Sequence, residues 1–153
     1  MANNNNFQVA VEATPDIATC YAKGLQGLEK STRAAIEVAD TQLIDGSVNI
    51  DECTKKMYPQ DNRWDYAVGY AGKVYFIEDH SAKDSEVSTM LAKLQWLKNW
   101  LKKDEQAKLN TLKAPNKPYI WVAPNGNHIS KSSKWDRQVS QAKLTPVKKV
   151  VIP

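Results

Sequence analysis

Hydrophobic alternation is clearest between Arg63 and His80. One arm reads Arg-Trp-Asp-Tyr-Ala-Val-Gly-Tyr and the other Lys-Val-Tyr-Phe-Ile-Glu-Asp-His, with Ala71-Gly72 between them. Aromatic and β-branched residues on both sides of a Gly-containing turn predict a β-hairpin. A helical period follows. Val87, Met90, Leu91, Leu94, Leu97 and Leu101 form an apolar stripe, widened by Trp96 and Trp100, which predicts a helix over Glu86–Leu101. Lys102-Lys103 suits its C-terminal end.

Weaker patterns flank these two. Thr14-Pro15-Asp16 is a helix-start signal, and Ile17, Tyr21, Leu25 and Leu28 then recur at helical spacing. That helix ends near Ser31 or continues through Arg33-Ala-Ala-Ile-Glu. Gln42–Ile50 predicts one or two short strands around Asp45-Gly46, and Asp51 caps a short helix that Pro59 stops. Lys108–Lys117 reads as a polar linker, Tyr119–Ala123 as a strand, and Asn127-His-Ile as a small strand that pairs back. Ser133–Ala142 predicts an amphipathic helix and Val147–Ile152 a lysine-studded edge strand. The order is that of an α/β domain: a central mixed sheet with an antiparallel hairpin, flanked by helices. No apolar run approaches the roughly 18 residues of a membrane span.

The first 13 residues, rich in asparagine, read as a disordered polar tail without the features of a secretory signal. Cys20 and Cys53 lack metal-ligand spacing and read as buried, reduced thiols, which together with the absence of a targeting segment implies a cytoplasmic protein.

Charge is unevenly spread. Residues 1–82 carry 7 Lys+Arg against 12 Asp+Glu, and residues 83–153 carry 14 against 5. An acidic half beside a basic half suits a metal-dependent enzyme acting on a polyanion. Surface lysines that maintain solubility are the plainer reading.

The candidate chemistry lies at the open end of the hairpin. If its turn is centred on Ala71-Gly72, Asp65 lies directly opposite Glu78 and Arg63 opposite His80. Side chains alternate along a strand, so His80 shares a face with Glu78 while Asp79 points away. Two facing carboxylates repel, and a bound divalent cation or a shared proton removes that cost. An Arg63 ion-paired to Asp65 and Glu78 removes it without a metal; otherwise Arg63 contacts phosphate. His80 is either functional or a strand-end histidine bonded to Asp84 or Glu86. His128, in Asn-Gly-Asn-His, reads as a turn residue.

The order helix, three strands, helix, strand, with Asp65 on one hairpin arm and Glu78-Asp79-His80 on the other, resembles the PD-(D/E)XK nuclease superfamily. The resemblance implies a restriction-endonuclease-like core over about residues 14–123, within one nuclease-like domain spanning residues 14–153. It implies Mg²⁺ or Mn²⁺ held by Asp65, Glu78 and the backbone carbonyl of Asp79, and phosphodiester hydrolysis in DNA or RNA. His80 stands where the family has a lysine. A neutral imidazole accepts a proton near neutral pH, or serves as a third ligand. In some members the basic residue comes from the following helix, which makes Lys93 a candidate here. Loss of the lysine implies instead an inactive domain that binds nucleic acid or a protein partner. Trp135 among Lys131, Lys134 and Arg137 suits nucleic-acid binding, or anchors its helix in the core. A third reading makes the Trp-rich helix a homodimer interface, if its tryptophans are exposed.

Overall fold

The computed structural model describes residues 5–153. Helix α1 (Asn6–Glu12) precedes a 3-10 turn at Pro15–Ile17, and an irregular stretch leads to the short helix α2 (Lys30–Arg33) and strand β1 (Ile36–Val38). A meander follows: β2 (Ile44–Asn49), the short helix α3 (Ile50–Thr54), β3 (Tyr66–Tyr70) and β4 (Lys73–Asp79). Strand β5 (Ala82–Lys83) leads into α4 (Val87–Leu101), and α5 (Ala107–Thr111) comes next. Strands β6 (Tyr119–Val122) and β7 (Asn127–His128), helix α6 (Lys134–Gln141) and strand β8 (Val150–Ile152) follow in that order. This is a mixed α/β fold. Its four-stranded sheet has the order β2-β3-β4-β6, antiparallel through the meander and parallel between β4 and β6. A parallel pair needs a long crossover, which α4 and α5 occupy.

The turn sets the hairpin register. Ala71 and Gly72 have φ of 51° and 79°, the paired left-handed conformations whose twist matches antiparallel strands. Tyr70 therefore pairs with Lys73 and Tyr66 with Ile77. Alternation then sorts the two faces. Ala67, Val74 and Phe76 pack into the larger core with α1 and α4, while Tyr66, Val68, Tyr70 and Ile77 pack into a second core with β1 and β8. β2 carries a bulge between Ile44 and Gly46, at the Asp45-Gly46 signal.

Several local expectations yield to tertiary contacts. Residues 5–13 do not form a disordered tail: Asn5 caps α1 by accepting from the amide of Gln8, and Phe7, Ala10 and Val11 are buried. Residues 1–4 of that predicted tail lie outside the described residues. Phe7 seats over Gly69, where an added Cβ would stand 2.4 Å from its ring. Gly69→Ala is therefore expected to push α1 off the sheet and cost about 1–3 kcal/mol in urea denaturation, as overpacking does.

The helix expected over residues 14–31 is absent beyond its first turn. Ala22 instead exchanges backbone hydrogen bonds with Ser47 at 2.9 Å each, adding an antiparallel bridge beside β2. Gly24 and Gly27 weaken the helix by about 1 kcal/mol each, and the Gly27 amide donates to Ser47 Oγ. The chain after Arg33 is strand β1, not more helix, and it pairs in parallel with β8. Cys20 and Cys53 are not free thiols: they form a disulfide that ties this stretch to α3. The linker after α4 contains α5, and β7 pairs with β5 in parallel rather than folding back. Trp100 and Trp121 are buried. Trp96 stacks on Trp100 and donates to Asp61, so these tryptophans serve packing within the chain rather than an exposed apolar patch. No described helix is long and apolar enough to cross a membrane.

Candidate functional site

The hairpin register carries the site. Beyond the Tyr66–Ile77 pair the next residues across the ladder are Asp65 and Glu78, and the Asp65 amide donates to Glu78 Oε1 at 2.9 Å. In return the Asp79 amide donates to Asp65 Oδ2 at 3.2 Å. The Asp65 carbonyl accepts the amide of Ile50 at 2.8 Å, so the start of α3 is fastened to the same residue. Glu78 alternates with Phe76 and Val74 and so points toward α4.

From α4 comes Lys93. It lies three residues after Met90 and four before Leu97, both buried, so the helix turns it toward the sheet. Its ammonium bonds Glu78 Oε2 and lies 3.8 Å from Asp65 Oδ1. His80 continues the face beyond β4, with Nδ1 3.8 Å from Glu78 Oε2 and Nε2 2.5 Å from Glu86 Oε1. Its backbone is fixed as well: the amide donates to Val122 and the carbonyl accepts from Trp121 Nε1. A continuous line results: Glu86, His80, Glu78, Lys93, Asp65. Of these, Glu78 has a fully buried side chain and Asp65 is 22% exposed.

Burial dominates the electrostatics. It pushes the Glu78 carboxyl well above the usual range, the facing Asp65 pushes it further, and Lys93 only partly offsets both. Asp65 is also raised, first by burial, with Lys93 opposing. For Lys93, burial works against the charge, but Glu78 and Asp65 outweigh it and hold the ammonium above its ordinary value. The site thus keeps a cation between two carboxyls, one of which readily takes a proton. At the rim, the His80 hydrogen bond lowers Glu86.

The remaining predicted residues are placed differently. Arg63 does not relieve Asp65 and Glu78: its Nε donates to Asp51 at 2.9 Å and its Nη1 to the Tyr58 carbonyl at 2.6 Å. The strand ladder stops at Tyr66, so nothing holds Arg63 across from His80. Asp79 points to the opposite face, as alternation predicts, and there Thr32 Oγ1 donates to its Oδ2 at 2.6 Å. There it lines a cleft of about 370 Å³ with Asp65, Asp51, Thr32 and Tyr66. Lys131, Lys134 and Arg137 are exposed near the start of α6, and Trp135 packs against the core between them. Ser130, just before them, is bonded to Asp84, two residues from Glu86. His128 is not a turn residue: it lies exposed on β7, with Nε2 3.0 Å from the Asn125 carbonyl.

Thr32 and Asp51 escaped the sequence reading. Asp51 had the signal of a helix cap only, and Asn49 takes that role. Thr32 carried no signal, because it meets Asp79 from 47 residues away.

The donor set at the hairpin end is hard oxygen, which suits Mg²⁺ or Mn²⁺. Among the described residues, no third His, Cys, Asp or Glu side chain joins Asp65 and Glu78 in a metal-holding group. A small hard cation that retains several waters needs only one or two carboxylates. Comparison with known proteins finds no matching family model, no matching curated protein and no matching solved structure.

Proposed function

We propose that the chain is a metal-dependent nuclease-like domain with a restriction-endonuclease-like core, hydrolysing phosphodiester bonds in DNA or RNA. One observation carries this reading: a lysine from the helix after the second hairpin strand reaches a pair of facing carboxylates. An antiparallel meander followed by a helical crossover to a parallel strand supports it. Asp65, Glu78 and the carbonyl of Asp79 would hold Mg²⁺ or Mn²⁺, which lowers the pKa of water and offsets charge on phosphate. Lys93, held above its ordinary value by the two carboxylates, supplies a fixed positive charge beside them from the following helix. His80 has Nε2 committed to Glu86, and so is a positioning residue for Glu78 more than a free base. Asp65, partly exposed beside the cleft, is the carboxylate of the pair that a cation entering from solvent reaches first.

The test is a cleavage assay on single- and double-stranded DNA and RNA with Mn²⁺, Mg²⁺ or EDTA. Asp65→Asn keeps the side-chain shape and is expected to lower metal-dependent cleavage by about 100-fold or more. No product from any substrate, with circular dichroism showing a folded wild type, replaces this reading with a non-catalytic domain that binds nucleic acid or protein.

A further inference from the structure

A groove away from the Asp65–Glu78 pair gathers positive charge. It encloses about 570 Å³ and is lined by Lys98 of α4, Lys117 before β6, Lys143 after α6, and Tyr119. A fourth lysine, Lys113, stands over the same tyrosine. The ammonium groups of Lys98 and Lys113 lie 5.5 and 5.7 Å from the Tyr119 ring centre, and Phe76 stacks against that ring at 5.9 Å. The ring thus holds two cations by its π-face. No carboxylate lines the groove, and among the described residues none of the four lysines forms an ion pair. Four lysines from three segments, with no carboxylate in the lining, give the groove a positive potential that favours an anion.

Backbone conformation is a second, independent observation. Lys117 and Lys143 have φ of 49° and 55°. Non-glycine residues seldom adopt this left-handed region. Lys117 also precedes Pro118, which restricts it further. Lys143 follows the end of α6, where Leu144 donates to Val139 at 2.8 Å and Lys143 to Ser140 at 3.0 Å. That position ordinarily takes glycine. Two lysines stand on one groove at positions where glycine is the stable choice, as strained residues at binding sites do.

We infer that this groove binds the phosphate backbone of a nucleic-acid strand. That it takes phosphate follows from its own charge; that the phosphate belongs to a polynucleotide rests on the proposed function. The groove opens beside the first residues of β6, the strand paired with β4.

Binding is measured by fluorescence anisotropy of the full chain with a labelled oligothymidylate, in EDTA so that no cleavage enters the readout. The test variant is Lys98→Gln/Lys117→Gly/Lys143→Gly, whose glycines relieve the left-handed positions. It is expected to melt no lower than wild type. Its affinity at moderate salt is expected to fall by about tenfold or more, and its slope of log affinity against log salt to be shallower by about 2, at about 0.7 per phosphate lost. An unchanged affinity and slope overturns the inference. So does loss of binding in Lys131→Gln/Lys134→Gln/Arg137→Gln alone, which would assign the strand to α6. Displacement of the oligonucleotide by inorganic phosphate at matched ionic strength overturns the polynucleotide assignment. None of these outcomes depends on cleavage, so the groove and the nuclease reading fail separately.

Discussion

Lys93→Met is expected to destabilise the protein by about 1–3 kcal/mol at pH 7, and by progressively less as the pH falls. Removing one partner of a buried ion pair typically costs about 3–5 kcal/mol, because the other charge is left uncompensated. Here the charge left behind is double: Glu78, fully buried, and Asp65 across the hairpin. Uptake of a proton by Glu78 caps the penalty at about 1.36 kcal/mol for each pH unit above the pKa it has in the wild-type fold, which burial and Asp65 already hold well above the usual carboxylate range. The sign follows from the direction of the shifts. Burial and mutual repulsion already raise Glu78 and Asp65, and Lys93 is the cation that opposes this. Without it both rise further. An acid with a raised folded pKa lends its stability below the unfolded pKa and loses it as pH rises through the folded one. The deficit therefore opens only above the raised wild-type pKa of Glu78 and grows with pH, readable as the urea midpoint at several pH values. The double variant Glu78→Gln/Lys93→Met should recover most of the loss, since only Asp65, which reaches the cleft, remains charged. A deficit independent of pH would mean that Lys93 contributes packing and not charge.

Reduction of the Cys20–Cys53 bond is the second large effect. The bridge closes a loop of 33 residues. Restricting the unfolded chain over such a loop is worth about 3.5 kcal/mol, between the values for 15- and 100-residue loops. Urea denaturation with and without dithiothreitol should show this difference, and Cys20→Ser/Cys53→Ser should show it without reductant. The consequence reaches the site, because the bridge anchors α3, whose first turn carries the Asp51 that holds Arg63. In a reducing cytosol the pair stands as thiols and this contribution is absent; in an oxidising compartment it is present. Equal midpoints with and without reductant would mean the bond does not form in solution.

Features that depend on neighbours along the chain were legible before any tertiary contact was known. A two-residue turn at Ala71-Gly72 dictates which residues of the hairpin meet, so the facing of Asp65 and Glu78 was legible before any tertiary contact. The period of α4 was legible for the same reason, and with it Lys93 as a residue two turns beyond Glu86. Even the buried helix α1 left a trace that its asparagine-rich surroundings masked: Phe7, Ala10 and Val11 stand at the spacing of one helical face.

What meets across long separations depends on how whole elements pack. Helical spacing over Ile17–Leu28 competes with a bridge to Ser47 and a disulfide to Cys53, and the distant partners prevail over local propensity. β1 finds β8 from opposite ends of the chain, and Thr32 finds Asp79 in the same way. Arg63 leaves the position its strand parity predicts because the ladder ends at Tyr66 and Asp51 offers a carboxylate nearer to hand. Which cation relieves the two carboxylates was likewise undecided along the chain. The local pattern offered Arg63 or a divalent cation, and the docking of α4 on the sheet brings Lys93 to them instead. Turns and periods are short-range constraints that sequence states directly; partners of charges and cysteines depend on how whole elements pack, which no local pattern encodes.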